Sequence, residues 1–149
     1  MKWATPIALA AATLVATGCS SSAPSDASFA AKADAICVSV GTGTGTGTGS
    51  GSGSGGLTAS TGVAAVNSEE ARVSTELTRL QGVSAPLDVA PAFQAYQFQL
   101  GTVQSLLRRL AVAVAAHEHA KIESIESQLG ESRSDGRTSA LQAGLKHCE

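Results

Sequence analysis

Cys19, Cys37 and Cys148 are the three thiols of this 149-residue chain. An odd number cannot close completely into intramolecular disulfides, so at least one has another fate. Cys148 follows His147, but adjacent residues on a helix point in different directions, which makes them a poor nucleophile–base pair. His117, Glu118 and His119 invite a metal reading. His117 and His119 lie about 200° apart around a helix and cannot share one ion. His119 and Glu123 form an i, i+4 pair that could, with Glu126 one turn on, but zinc would still need ligands from elsewhere. The competing reading is a solvated, charged helix face, to which Glu118 and Lys121 or Glu126 contribute a few tenths of a kcal/mol as helix charges, and no metal is expected. Arg108 and Arg109 either face anionic headgroups or occupy an exposed helix face. Glu69 and Glu70 are adjacent and serve a helix's first turn, where the dipole favours negative charge. No carboxylate pair stands out for acid–base work, and neither an enzyme nor a cofactor is expected.

The first 18 residues set the context of those thiols. Met1-Lys2-Trp3 is followed by an apolar, small-residue run from Ala4 to Thr17, then Gly18-Cys19, then the polar Ser20 to Asp26. A charged start, a short apolar run and a small residue before a cut are the parts of a secretory signal. Ala16-Thr17-Gly18-Cys19 resembles a bacterial lipobox. That resemblance implies a diacylglyceryl group on the Cys19 thiol, cleavage before Cys19 and further acylation of the new amine. Two or more acyl chains give stable anchoring where one gives only marginal binding. The apolar run is about 14 residues against the ~20 of a spanning helix, and Pro6 also argues against an uncleaved anchor. The remaining alternative is an ordinary cleaved signal with Cys19 incidental. If Cys19 carries lipid, Cys37 and Cys148 are left outside the cytoplasm, where disulfides persist. Pairing them would use every thiol and close a loop worth ~4–5 kcal/mol in the chain-entropy model; the alternative is two unrelated free thiols.

Removing residues 1–18 from the 149 leaves 131, one domain's worth, with a net charge of −3 once Lys2 has gone. There is no basic patch for nucleic acid and no charged tail. The remaining aromatics are Phe29, Phe93, Tyr96 and Phe98, few for a pocket lined in the usual way.

These residues must be positioned by helices. Residues 19–27 read as a tether and 28–149 as a helical domain. Phe29, Ala33, Ile36 and Val40 make one face of a first helix over 28–40, with Cys37 beside it. Residues 41–56 alternate Gly with Thr or Ser, a flexible linker. Gly51, Gly53 and Gly56 match G-x-G-x-x-G there, but no strand precedes them and periodic glycine produces such matches by chance. Asn67 to Glu70 fits a capping box for a helix over 68–81 carrying Val73, Leu77 and Leu80 and stopping at Gly82; residues 57–66 either precede it or extend it backwards. After a turn around Pro86, Asp88 reads as an N-cap with Pro91 in the first turn. Phe93, Tyr96, Leu100, Val103, Leu107, Leu110 and Val114 then form an unbroken three–four seam. The seam loses phase near 115–120 and apolar residues resume at Ile122, Ile125 and Leu129. Gly130 to Gly136 reads as a polar loop, with Ser134 or Asp135 capping a last helix in which Leu141, Leu145 and Cys148 share a face. No segment shows strand alternation. The expected architecture is all-α, a small antiparallel helical bundle whose first and last helices are joined by a disulfide.

Phe29-Ala30-Ala31-Lys32-Ala33-Asp34-Ala35-Ile36-Cys37 and Gly144-Leu145-Lys146-His147-Cys148, with the lipobox, resemble small secreted or lipid-anchored proteins of actinobacterial type and unknown function. The resemblance is carried by the two ends of the chain; the middle matches only in being helical, and residues 41–56 look like an inserted spacer. It implies a cell-envelope location and a terminal Cys37–Cys148 disulfide, and no activity. The expectation is a lipid-anchored, non-enzymatic envelope module on the extracytoplasmic side of the cell membrane, touching the membrane through lipid on Cys19 and binding an envelope protein. The alternative is an envelope module for a small apolar ligand or metal ion, with a cavity along the Phe93–Val114 seam.

Overall fold

A computed structural model describes residues 25–42 and 62–148. The expected leader, Cys19, most of the tether and most of the glycine-rich segment lie outside these residues. Four helices and no strand are present among the described residues: α1 (Asp26–Thr42), α2 (Val63–Gln81), α3 (Ala90–Ala115) and α4 (His119–Gln142). α3 packs against both α2 and α4, and α1 packs against α2.

α1 begins at a serine cap: the Ser28 N–H donates to Ser25 Oγ at 3.4 Å, and the Phe29 N–H to the Ser25 carbonyl at 2.9 Å. Its buried side is Phe29, Ala33, Cys37 and Val40. Cys37 takes the central place expected for Ile36, which is only half-buried. The helix also runs through Gly41 and Thr42, which the sequence reading assigned to the linker.

α2 starts at Val63, behind an N-cap at Gly62 that makes no side-chain cap bond. The Asn67–Glu70 capping box is therefore not used, and Asn67 lies inside the helix. The reason is tertiary: Val66 is fully buried with Ile122, Ile125 and Leu129. Burying a valine contributes about 1.5–3 kcal/mol, more than a cap typically supplies. The helix stops at Gly82, as expected.

α3 has Pro91 in its first turn, but Val89, not Asp88, occupies the N-cap, and Asp88 is exposed. Phe93, Tyr96, Val103, Leu107 and Leu110 of the seam are buried, and Leu106 and Ala113 widen it. The break falls where the seam loses phase. His117 adopts φ 55°; its N–H bonds the Val114 carbonyl, and the Glu118 N–H bonds that of Ala113. These two bonds make a Schellman cap with histidine in the left-handed position glycine usually fills.

α4 overturns the expected loop at Gly130–Gly136, and among the described residues there is no separate last helix: one helix runs from His119 to Gln142. Ile122, Ile125, Leu129, Gly136 and Ala140 form its buried stripe. Gly136 lies so close to α3 that a Cβ there would come within 3.4 Å of Gln99 Cβ. Neither Ser134 nor Asp135 is a cap. The chain leaves α4 through a second Schellman turn, with Gly144 at φ 78°, the Gly144 N–H on Leu141 and the Leu145 N–H on Ala140. Leu145 and Cys148 are buried but Leu141 is 60% exposed, so the three do not share a face. The helical period that linked them ends before Leu145.

Phe29 and Phe93 meet edge to face at 4.9 Å in a core with Leu80, Tyr96, Ala140, Leu145 and both cysteines. A second core joins α2, α3 and α4 around Val66, Val73, Leu107 and Leu110.

Candidate functional site: a disulfide against a buried carboxyl network

Cys37 and Cys148 form a disulfide, with Cα atoms 5.0 Å apart. It joins α1 to the segment that follows α4 rather than to a helix. Asp34, one turn before Cys37, holds that segment: its Oδ1 accepts the N–H groups of Lys146 at 2.9 Å and His147 at 3.0 Å. Asp34 belongs to the segment that resembles the envelope proteins, and no spacing in the sequence marks it for this role. Two backbone donors converging on one carboxylate oxygen form charge-assisted bonds of the stronger kind.

Glu76 lies against the disulfide. It is the buried charged residue of the described core, 2% exposed. Its Oε1 is 3.6 Å from Cys37 Sγ, a contact and not a hydrogen bond, because a disulfide sulfur carries no proton. The Tyr96 hydroxyl donates to the same oxygen at 2.6 Å, and Arg72 donates to Oε2 at 3.3 Å. Arg72 also grips Glu69 with two bonds of 2.8 Å, and Arg133 of α4 reaches Glu69 at 3.1 Å. The network thus runs from α4 through α2 to α3 and ends beside the disulfide. Glu69, Arg72 and Glu76 can share it because offsets of three and four fall on one helix face.

The charges respond to burial and to one another. Burial pushes the Glu76 carboxyl above the usual carboxylate range, against the opposing effects of the Tyr96 hydrogen bond and Arg72. Burial and the Glu76 carboxylate both push the Tyr96 hydroxyl upward, so it remains a donor. The hydrogen bond from Arg72 holds Glu69 low, and the same bond raises Arg72. Such a set can fix the relative positions of helices. Its carboxyl at Glu76 is enclosed by protein, without access for an outside molecule.

Glu76 was missed by the sequence reading, although a signal was present. It stands three residues after Val73 and four before Leu80, in the middle of the apolar stripe. Tyr96, counted as a seam residue, carries the hydroxyl that such a carboxylate needs.

The other candidates are not brought together. His117, His119, Glu123 and His147 are exposed. Among the described residues no group of three or more His, Cys, Asp or Glu side chains could hold a metal ion. Glu126 is half-buried, and its Oε1 is a buried oxygen without a partner among them. Arg108 pairs with Glu70 at 2.9 Å, and Gln104 donates to the same carboxylate at 2.8 Å. Lys121 pairs with Glu118 at 2.8 Å. No helix among the described residues is long and apolar enough to cross a membrane. No family model, curated protein or solved structure matches the chain.

Proposed function

We propose that this is a lipid-anchored protein of the cell envelope, a non-enzymatic interaction or structural module on the extracytoplasmic side. In this reading residues 1–18 are a signal peptide and Cys19 carries the lipid. A short tether follows, and the antiparallel bundle hangs close beneath the headgroups as a member of the actinobacterial-type class its two ends resemble. The observation that carries the reading is the disulfide. With Cys37 and Cys148 joined, Cys19 is the odd thiol, and it is the one that follows Ala16-Thr17-Gly18. A disulfide also fits an oxidising compartment. The carboxyl network supports the structural half of the reading, since it ties helices together and is sealed from substrates.

The test is the intact mass of the full chain extracted from bacterial membranes, alkylated before and after reduction. Loss of residues 1–18, a gain of the diacylglyceryl group with a fatty acyl chain such as palmitate, and two thiols appearing only on reduction are expected. A Cys19→Ser variant is expected to leave the membrane fraction. An unlipidated mass, or membrane association unchanged in Cys19→Ser, refutes the anchor.

A further inference from the structure

The outward face of α3 carries Phe98, Thr102, Ser105, Arg109 and Val112, spaced four, three, four and three. They fall on one stripe of the helix. Phe98 is 72% exposed and Val112 68%. Over the same face lies an open depression of about 760 Å³, in which Phe98, Gly101, Thr102, Ser105 and Arg109 meet Glu131 of α4. Single exposed apolar residues need no explanation. The arrangement of these two does, because Phe98 and Val112 each stand seven residues from Ser105.

We propose that this stripe is a self-association surface on which a second copy of the chain lays its own α3 in the opposite direction, about a two-fold axis through Ser105. A two-fold interface is self-complementary: the residue n before the axis faces the residue n after it. Phe98 therefore meets Val112 of the second copy, and Val112 meets its Phe98. These two apolar contacts are separated by ~21 Å at 1.5 Å per residue. Arg109 of the second copy falls level with Gly101, whose missing Cβ would lie 3.9 Å from Leu77 of α2. Between the two ends Thr102 and Ser105 are small enough for the helices to approach closely.

Charge fits the same geometry. Among the described residues neither Arg109 nor Glu131 makes an ion pair, although Arg72, Arg108, Lys121 and Arg133 all do. Gly136 of α4 lies against Tyr96 and Gln99, and residues 116–118 join the two helices. Glu131 therefore falls level with about residue 103 of α3, some 9 Å along the axis from Arg109 of its own chain. The Arg109 of the second copy, placed at Gly101, arrives beside it. Two such pairs form by symmetry, one at each end. The surface is present whether or not Cys19 carries lipid, and confinement to a membrane would raise its effective concentration.

The test uses the full chain, in membranes and after detergent extraction. A residue on a two-fold axis meets its own copy, so Ser105→Cys is expected to cross-link to dimer under mild oxidation. Thr75→Cys, on the α1 side of α2, is not. In sedimentation, Arg109→Glu and Glu131→Arg are each expected to weaken dimerisation by about tenfold, and the double reversal to restore it to within about threefold. Phe98→Glu, at an exposed position, should leave the far-ultraviolet circular dichroism unchanged and abolish the dimer. A chain that stays monomeric to about 200 µM, where a weak contact would be populated, overturns the proposal. So does a dimer in which Ser105→Cys cross-links no better than Thr75→Cys, or a double reversal no stronger than the single changes.

Discussion

Tyr96→Phe removes one oxygen and leaves Glu76 Oε1 facing the disulfide without its 2.6 Å donor. The ring stays in place, so the loss is confined to the hydrogen bond. A bond to a charged group contributes about 1.5–3 kcal/mol, whereas one between neutral groups contributes about 1 kcal/mol. The cost therefore depends on whether Glu76 is ionised. Its native pKa is raised above 4.5 by burial, so the folded protein binds its proton more tightly than the unfolded chain does. That contribution is fully present below about pH 4.5 and is lost as pH rises through the native value. Tyr96 favours the ionised form, so removing it raises the Glu76 pKa further. The penalty for Tyr96→Phe is expected to be about 1 kcal/mol at pH 4 and about 2–3 kcal/mol at pH 8. At ~4 °C per kcal/mol for a domain of this size, the loss in Tm at pH 8 is ~8–12 °C. The assay is urea unfolding of the disulfide-intact protein from pH 4 to 8, repeated in a Glu76→Gln background where this carboxyl no longer titrates. In that background the Tyr96→Phe penalty should be flat with pH. A penalty below about 0.5 kcal/mol, or one equally flat with Glu76 present, refutes the coupling.

Four further outcomes follow from the packing. Cys37→Ala with Cys148→Ala opens a loop of sequence separation 111 and should cost about 2–5 kcal/mol, read as a lower urea midpoint with the other helices retained. Gly130→Ala, with nothing within 4 Å of the new Cβ, should stabilise the protein by about 0.5–1 kcal/mol because the site is inside a helix; Gly144→Ala, at φ 78°, should destabilise it by a similar amount or more. If Gly130→Ala is instead destabilising, the continuity of α4 is wrong. His117→Gly relieves a left-handed backbone at φ 55° and should raise stability by about 0.5–1 kcal/mol in thermal melts, the glycine's greater unfolded-state freedom offsetting part of the relief.

Acid behaviour combines two opposite signs. Glu69, held low by Arg72, contributes stability that is present above its usual range and is lost as pH falls through its lowered value. Glu76 acts in the other direction, because burial raises its carboxyl in spite of the same arginine. Arg72 therefore serves one carboxylate that favours neutral pH and one whose burial disfavours it.

Local chemistry by itself determined the parts of this protein that depend on neighbours in sequence. The three–four seam from Phe93 to Val114 is visible because helical period and burial coincide there. Gly82 ends α2, Pro91 sits in the first turn of α3, and the break near 116–118 follows from lost phase. Tertiary structure decided the rest, because local preferences are weak against burial. Two glycines inside α4 cost about 1 kcal/mol each, and Leu129, Gly136 and Ala140 packed on α3 outweigh them. Asn67 offered a cap, but the burial of Val66 carried α2 past it. The place of Glu76 in the apolar stripe and its spacing from Arg72 are visible along α2, but the Tyr96 hydroxyl that meets it comes from α3, and no spacing along one helix shows what another helix will present. The disulfide combines both kinds of determination. The count of thiols made the pairing arithmetically natural, but its route was set by Gly144 turning the chain off α4 and Asp34 catching the two amides beyond.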